Sequence, residues 1–176
     1  MSILKVARMG HPVLRTKTRP VEKGLIKDPA FQKFIDDMMD TMLEYSGVGL
    51  AAPQVHEGLR LFVASLDPDG RGEGDPIAII NPEITVVGND IVEGWEGCLS
   101  IPEIRGRVPR ALRIKVRALD RNGKSIEIEA NDFPARVIQH ETDHLDGVLF
   151  FDRMTSFESL TYLEEYSRYH ARHEDE

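Results

Sequence analysis

The chain lacks a second cysteine, a long apolar run and an excess of basic residues. Its single cysteine, Cys98, cannot form an internal disulfide, so nothing indicates secretion. The thiol is free for catalysis, for metal binding or for burial as a small hydrophobic side chain. No apolar run reaches membrane-spanning length, and the apolar stretch at the N-terminus is too short for a signal peptide. A soluble, cytoplasmic protein without a membrane partner is expected.

Charge and length narrow the class further. The 22 Lys+Arg and 30 Asp+Glu residues give a formal net charge of -8 at pH 7, which argues against binding DNA through its phosphates. A chain of 176 residues can bury a core without disulfides. We therefore predict that residues 1–176 form a single domain.

A helix and a strand-rich middle are predicted after an irregular N-terminal segment, residues 3–24. The helix begins at Asp28, an N-cap followed by proline, and ends near Gly47. Its apolar residues recur every three or four positions, which is typical of a core-facing stripe. Further along, period-two patterns predict strands at 59–64, 77–81, 84–87, 113–118 and 125–129, the last two forming a hairpin with one charged, solvated face.

Two later segments carry separate predictions. Glu93–Pro102 holds the only tryptophan and the only cysteine, and glycines on either side of Glu96 predict an irregular segment that lines a cleft. Thr155–Glu158 has the pattern of a capping box, which predicts a C-terminal helix. Its apolar side chains are expected to dock on the body of the protein, namely Phe157, Leu160, Leu163 and Tyr166.

The most informative stretch is Gln139–Gly147, which contains the pattern H-E-x-x-H. On a helix His140 and His144 lie about 40° apart around the axis, so both imidazoles and Glu141 share one face. Two neutral imidazoles can bind a divalent ion, and the carboxylate can act on a water beside it. The alternative interpretation is two surface histidines on an ordinary helix.

A catalytic metal site usually needs a third ligand. Cys98 is the best candidate because a thiolate binds divalent ions tightly and its glycine-flanked loop can approach a helix. No third histidine continues the H-E-x-x-H pattern, since Phe150 and Phe151 stand at the relevant positions. Four carboxylates remain as competing ligands: Glu96, Asp143, Asp146 and Asp152.

Small residues dominate Gly47–Gln54, directly after the predicted first helix. The glycines let another backbone or a ligand approach closely, and Gln54 adds a side-chain amide. The stretch lacks the pattern of a phosphate-binding loop, so nucleotide binding is not expected. Its alternative interpretation is a tight connection between a helix and a strand.

Taken together, Gly47–Gln54, Glu96–Ser100 and Gln139–Gly147 resemble the three signature motifs of the peptide deformylases, in that family's order. The resemblance implies an α+β fold in which short antiparallel or mixed sheets surround a central metal-binding helix, with an N-terminal and a C-terminal helix. It also implies a hydrolase that removes the N-formyl group from the formyl-methionine of new polypeptides and releases formate. An organellar origin without its transit peptide is compatible with this family.

The resemblance assigns roles by matching positions. Cys98, His140 and His144 would hold the metal, and Glu141 would act as general base and acid on its water. Gln54 and the backbone N–H of Leu99 would stabilise the oxyanion. Gly49 would contact the substrate backbone as an added strand, and Arg105 would contact substrate. The implied ion is Fe²⁺, with Zn²⁺, Ni²⁺ or Co²⁺ as substitutes.

Some features depart from the family pattern or leave alternatives. The acidic tail, residues 174–176, does not match the basic helix with which some members dock on the ribosome, so only transient ribosome contact is expected. Arg136 stands where some members have an aliphatic pocket residue, and its methylene stem is expected to form that wall. Arg107 and Arg110 are expected in solvent.

Two alternative functions remain open. One is an H-E-x-x-H metallopeptidase, and the other is an inactive formyl-peptide or metal-binding module.

Overall fold

One long helix near the C-terminus contacts strands of both sheets of the protein. The computed structural model describes residues 2–68 and 74–171. Its α-helices are α1 (Lys23–Ile26), α2 (Pro29–Glu44), α3 (Asp132–Leu145) and α4 (Leu163–Tyr169). Short 3-10 helices lie at Pro12–Arg15, Ala52–Val55 and Phe150–Arg153.

The strands form two antiparallel sheets around α3. Five of them, in the order β1-β2-β3-β6-β7, build the larger sheet, and β4-β5-β8 build the smaller one. Their bounds are β1 Gly49–Ala51, β2 Leu61–Ala64, β3 Ile77–Val86, β4 Ile91–Cys98, β5 Ile101–Ala111, β6 Arg113–Leu119, β7 Ser125–Asn131 and β8 Thr161–Tyr162. The predicted α+β architecture with a central helix is confirmed.

Helix α2 forms as its sequence predicts. The Asp28 side chain accepts a hydrogen bond from the N–H of Ala30, and Pro29 occupies the first helical position, where its missing N–H costs nothing. The apolar stripe faces the core, with Ile35, Met38 and Met42 fully buried. The segment before it is mostly irregular, as predicted, although a 3-10 turn at Pro12–Arg15 and the start of α1 interrupt it.

The hairpin of β6 and β7 is also confirmed, in the register that pairs Val116 with Ile128. By contrast, the separate strands predicted at 77–81 and 84–87 are one strand, β3. A register shift between Ile80 and Glu83 absorbs the break that Asn81 and the following proline introduce, as bulges do. The loop between β2 and β3 lies partly outside the described residues, which omit 69–73.

The prediction that Glu93–Pro102 is irregular was wrong over most of its length. Residues up to Cys98 belong to β4, which pairs with β5 from Ile91 to Cys98 with one register shift after Glu96. The glycines of this segment are compatible with a strand because β5, which follows directly after the turn at Leu99 and Ser100, supplies the hydrogen-bond partners of the ladder. The segment does line a cavity, as predicted.

The C-terminal helix begins later than predicted. Residues 155–160 form turns, in which Ser156 Oγ accepts from the N–H of Glu158, and α4 starts only at Leu163. Phe157 is 66% exposed instead of docked. A local serine-backbone bond satisfies the same donor that a capping box would, so the pattern did not require a helix there. Residues 172–176, the predicted polar tail, lie outside the described part of the chain.

Buried apolar side chains hold α3 against the larger sheet. Ala135, Val137, Ile138 and Leu145 of α3 pack with Phe62, Ile79, Ile114 and Val116 of the larger sheet, while Cys98 and Val108 of the smaller sheet pack with Phe150. One face of α3 is therefore fixed by hydrophobic contacts with the larger sheet, and a separate apolar cluster lies on the smaller sheet. Among the described residues no helix is both long and apolar enough to cross a membrane.

Candidate active site

Helix α3 and the end of β4 bring the three expected metal ligands together. Ligand atoms of Cys98, His140 and His144 all lie within 4.8 Å of one another, and Cys98 Sγ is 3.3 Å from His144 Nε2. The i, i+4 spacing places the two imidazoles on one face of α3, with ring centroids 5.0 Å apart. One thiolate and two imidazoles are a donor set that suits a divalent transition metal.

The four competing carboxylates are all engaged elsewhere. Asp146 pairs with Arg60 at 2.8 Å, and Asp152 pairs with Arg15. Glu96 and Asp143 belong to a buried cluster of arginines described below. Because each carboxylate already neutralises a cation, Cys98 is the third member of the constellation.

Glu141 lies on α3, between His140 and His144 in the sequence. It is buried, with 4% of its surface exposed. Its Oε2 is buried and has no hydrogen-bond partner among the described residues. Burial raises the pKa of this carboxyl to about 7, and a cation beside it would lower that pKa. An orphaned, buried carboxylate oxygen next to the Cys-His-His set fits a site built to hold a metal ion with water.

Gly49 lies directly against Glu141. A Cβ at position 49 would overlap the Glu141 carboxylate, so only glycine fits there. Gly49 opens β1, which forms an edge of the five-stranded sheet and pairs on one side with β2. The other side of β1 faces the cavity, where an extended peptide can add as a further strand.

Gln54 is buried beside Cys98 in the 3-10 turn that follows β1. Its Oε1 accepts from the N–H of Ala51 at 2.9 Å, which fixes the orientation of the amide. The Nε2 then donates toward Cys98 Sγ at 3.5 Å and Ser100 Oγ at 3.2 Å. Leu99 follows Cys98 and its side chain reaches Gly47 across the cavity. Both expected oxyanion donors therefore border the metal constellation.

A cavity of about 770 Å³ opens over this constellation. It is large enough for a peptide segment of a few residues. The expected site residues that line it are Gly49, Gln54, Cys98, Leu99, Arg105, His140 and Glu141, whereas His144 lies behind them. Apolar wall residues include Val48, Trp95, Phe133, Val137 and Leu163.

Arg105 stands at the side of this cavity. Its guanidinium lies so close to Gly97 that a Cβ at position 97 would overlap it, and Nη1 donates to the carbonyl of Ile104 at 3.0 Å. Arg136 also lines the cavity, and its guanidinium donates to the carbonyls of Val92 and Val108 at 2.7 Å each. That anchoring leaves the stem of Arg136 as the part available for a wall.

A buried ionic network supports the site, and the sequence did not reveal it. Arg110 was expected in solvent but is 5% exposed. Its guanidinium donates to both carboxylate oxygens of Glu96, at 2.8 and 3.0 Å, and to Asp143 at 2.5 Å. Arg136 and Arg153 complete the charge balance by pairing with Glu96 and Asp143, respectively. The alternation of Gly106, Val108 and Arg110 on one face of β5 was the available signal.

This network acts directly on His140. Oε2 of Glu96 lies 2.8 Å from Nδ1 of His140, which leaves Nε2 of His140 for a metal. Burial opposes charge on Glu96, but hydrogen bonds from His140 and Arg110 outweigh it and hold the Glu96 pKa below its usual range. Burial likewise opposes charge on His140, and its interactions with Cys98 and Glu96 reverse that effect and raise its pKa.

His144 has no such carboxylate partner. Burial lowers its pKa well below the ordinary value, so its imidazole stays neutral and available as a ligand. The difference between the two histidines follows from their positions. His140 faces Glu96, whereas the Nδ1 of His144 is buried without a hydrogen-bond partner in the described chain.

Comparisons with known proteins agree with this geometry. The family model described as polypeptide deformylase matches residues 3–159. The chain is 46% identical over 168 residues to peptide deformylase 2 of Nostoc sp., covering 93% of each chain. It superposes on the Met-Ala-Ser-bound peptide deformylase of Acinetobacter baumannii with a TM-score of 0.81 at 38% identity, covering 88% of this chain and 100% of that one.

A second solved structure, the peptide deformylase of Thermotoga maritima, has a TM-score of 0.81 at 41% identity and covers 89% of this chain and 100% of that one. Neither the metallopeptidase nor the inactive binding module is favoured by these matches. The family implies a divalent metal, and the Cys-His-His set can hold one. The chain belongs to the polypeptide deformylase family, enzymes that remove the N-formyl group from newly made polypeptides.

Proposed function

We propose that Cys98, His140 and His144 bind one divalent ion and that Glu141 is the general base and general acid of deformylation. The observation that carries the proposal is the convergence of the three ligand atoms within 4.8 Å, beside a buried carboxylate that faces the cavity. A divalent ion held there would lower the pKa of a water molecule and polarise the formyl carbonyl.

The protein's own groups then complete the reaction. Glu141 takes the proton of the attacking water on a carboxylate oxygen and passes it to the amine that leaves. This proton transfer contributes about 10²–10⁴-fold. Burial raises the pKa of Glu141 and a bound cation would lower it, so the two opposing effects act on the group that must both accept and give a proton. The products are formate and a free N-terminus.

Charge that develops on the formyl oxygen needs fixed donors. Gln54 Nε2 is held toward Cys98 Sγ, and the backbone N–H of Leu99 lies one residue beyond that cysteine. We assign both as oxyanion donors. Because the Gln54 amide is locked by Ala51, it needs no reorganisation as the charge forms.

The substrate enters as an extended chain. We assign Gly49, on the edge of β1, as a backbone contact and Arg105 as a second substrate contact. Both line the cavity. The substrates are N-formylmethionyl nascent peptides, and the peptide Met-Ala-Ser is bound in the Acinetobacter baumannii relative. We further propose that residues 1–176 act as one catalytic domain. Contact of this domain with the ribosome is transient. The enzyme works in the cytoplasm or, if the protein is organellar, inside the organelle.

We propose Fe²⁺ as the natural ion, with Zn²⁺, Ni²⁺ or Co²⁺ able to replace it. An iron-thiolate site open to a cavity should lose activity in air through oxidation of the metal and of Cys98. Protein prepared without oxygen and assayed for metal content and formate release tests this. Retention of full activity in air with iron bound would contradict the assignment.

The decisive assay is formate release from formyl-Met-Ala-Ser. Glu141→Gln should lower kcat by about 10²–10⁴-fold while metal content stays at one ion per chain. Cys98→Ser should lose metal as well as activity. Glu127→Gln, an exposed carboxylate on the β7 hairpin, is the matched control and should behave as the unaltered enzyme. Absence of formate from iron-, nickel- or cobalt-loaded enzyme would overturn the proposal.

A further inference from the structure

The mouth of the active-site cavity carries positive charge although the chain as a whole is acidic. Three cationic side chains, Lys5, Arg8 and Arg105, line it together with the exposed carboxylate of Glu103. The chain's formal charge is -8 at pH 7, so this local excess runs against the average. A local charge of opposite sign to the rest of the protein acts on whatever approaches the site.

The other charged groups of the cavity do not cancel this excess. Glu96 is neutralised from within the protein by Arg110 and Arg136, and Glu141 is buried at the far end beside the ligand set. Arg136 is in turn balanced by Glu96. The mouth therefore keeps three cations against one exposed carboxylate.

Most arginines in the described chain already have an acidic partner. Ion pairs are formed by Arg15, Arg60, Arg107, Arg110, Arg113, Arg117, Arg121, Arg136, Arg153 and Arg168. Within residues 2–68 and 74–171, Arg8 and Arg105 form no ion pair and lie at the cavity, and Arg19 forms none and lies away from it. The unpaired guanidinium groups are thus concentrated where substrate enters.

The N-terminal segment holds two of these cations in place. The N–H of Ala7 donates to the carbonyl of Gln54 at 2.7 Å, and the N–H of Met9 donates to the carbonyl of Ser100 at 2.8 Å. Ala7 is buried, whereas Lys5 and Arg8, on either side of it in the segment, are exposed. The segment is therefore fixed to the loops that carry the oxyanion donor and the cysteine ligand, with its charged side chains at the opening.

From this arrangement we infer that Lys5, Arg8 and Arg105 select formyl-methionyl chains with acidic side chains shortly after the methionine. The inference rests on the proposed deformylation and adds the substrate class that this chain prefers. An extended peptide advances about 3.3 Å per residue, so side chains at positions two to four pass the mouth while the formyl group lies at Glu141. Carboxylates there meet unpaired guanidinium groups, and lysines meet like charge.

The test compares formyl-Met tetrapeptide amides that carry one Glu or one Lys at position two, three or four, with alanine elsewhere. Amidation removes the terminal carboxylate, which would otherwise supply the same charge. At low ionic strength kcat/KM should favour Glu over Lys by about three- to tenfold at one or more positions. Near 1 M salt the ratio should fall toward one, because the Debye length drops to about 3 Å.

Variants locate the effect. Arg8→Glu, and separately Lys5→Glu, should lower the Glu-to-Lys ratio of kcat/KM by about three- to tenfold. Arg19→Glu removes an equally unpaired, exposed arginine away from the cavity and should leave the ratio unchanged. The inference would be overturned if the Glu-to-Lys ratio of kcat/KM in the unaltered enzyme were one or lower at all three positions. It would also be overturned if neither Arg8→Glu nor Lys5→Glu changed that ratio. Failure to release formate from any peptide would instead contradict the proposed deformylation.

Discussion

The Nδ1 atom of His140 lies 2.8 Å from Oε2 of Glu96, a carboxylate 44 residues earlier in the chain. A carboxylate on the outer nitrogen of a ligand histidine fixes its tautomer and ring orientation and makes the other nitrogen a better donor to metal. Two further contacts, with Arg110 and Arg136, hold Glu96 in place. The relationship ties the face of α3 that carries the proposed metal ligands to the small sheet.

Glu96→Gln should weaken metal binding while the three ligands remain. The amide cannot hold the His140 ring as strongly, so we expect affinity for Zn²⁺ or Co²⁺ to fall by about 10–100-fold. Competition with a chelator measures it, and the absorption spectrum of the cobalt form reports on ligand geometry. Glu93→Gln, exposed on the same strand, is the control. Equal affinities for Glu96→Gln and the control would show that this carboxylate does not orient the histidine.

Arg110 should matter more for folding than an exposed arginine does. Arg110→Met leaves Glu96 and Asp143 buried with a weaker balance of charge, so the free energy of unfolding should fall by about 3–5 kcal/mol. Arg113→Met removes an exposed pair with Asp90 and should cost under about 1 kcal/mol. Urea unfolding of both variants measures the difference. A similar small loss in the two would contradict a structural role for the buried cluster.

Gly49→Ala should impair catalysis without unfolding the protein. The added methyl group would overlap the carboxylate of Glu141, the proposed general base. Displacement of such a group by about 1 Å can cost about 10²-fold in rate. Gly24→Ala is the matched control, because a Cβ there meets nothing within 4 Å. Formate release and thermal unfolding should be measured on both. Full activity in Gly49→Ala would mean that Glu141 can move aside freely.

The acid stability of the protein should depend on Asp37. A hydrogen bond from Lys33 lowers the pKa of this carboxyl below 3.8, against the opposing effect of burial, with the N–H of Ser2 adding a further bond. A depressed folded-state pKa adds stability above the unfolded value that is lost as pH falls through the folded one. The unfolding free energies of the unaltered protein and Asp37→Asn should therefore differ above about pH 5.

That difference should shrink as the pH falls below 3.8. Asp40→Asn, on the same helix and without an ion pair in the described residues, is the control for loss of one carboxylate from α2. Urea unfolding at several pH values measures the difference. A gap that stays constant from pH 5 to pH 2.5 would contradict the role of Asp37.

Local patterns determined much of the fold. The N-cap at Asp28 and the apolar stripe of α2 predicted that helix correctly, because capping and amphipathicity act within a few residues. The β6–β7 hairpin followed for the same reason. Strand β4 was missed although its partner β5 follows directly in the chain, because glycines are more typical of irregular segments than of strands. The late start of α4 depends on the pairing of β8 with β5, a strand far back in the sequence, and no local pattern encodes that partner.

For the site, the sequence by itself determined that His140, Glu141 and His144 share one face, since helical geometry alone places them there. It also nominated Cys98 and Gln54 by their chemistry and by resemblance to a family. Only the tertiary structure decided that these groups meet, and it alone showed that Arg110 turns inward to join Glu96 and Asp143. The packing of α3 against strands of both sheets sets those distances, and these contacts join residues that lie far apart in the chain.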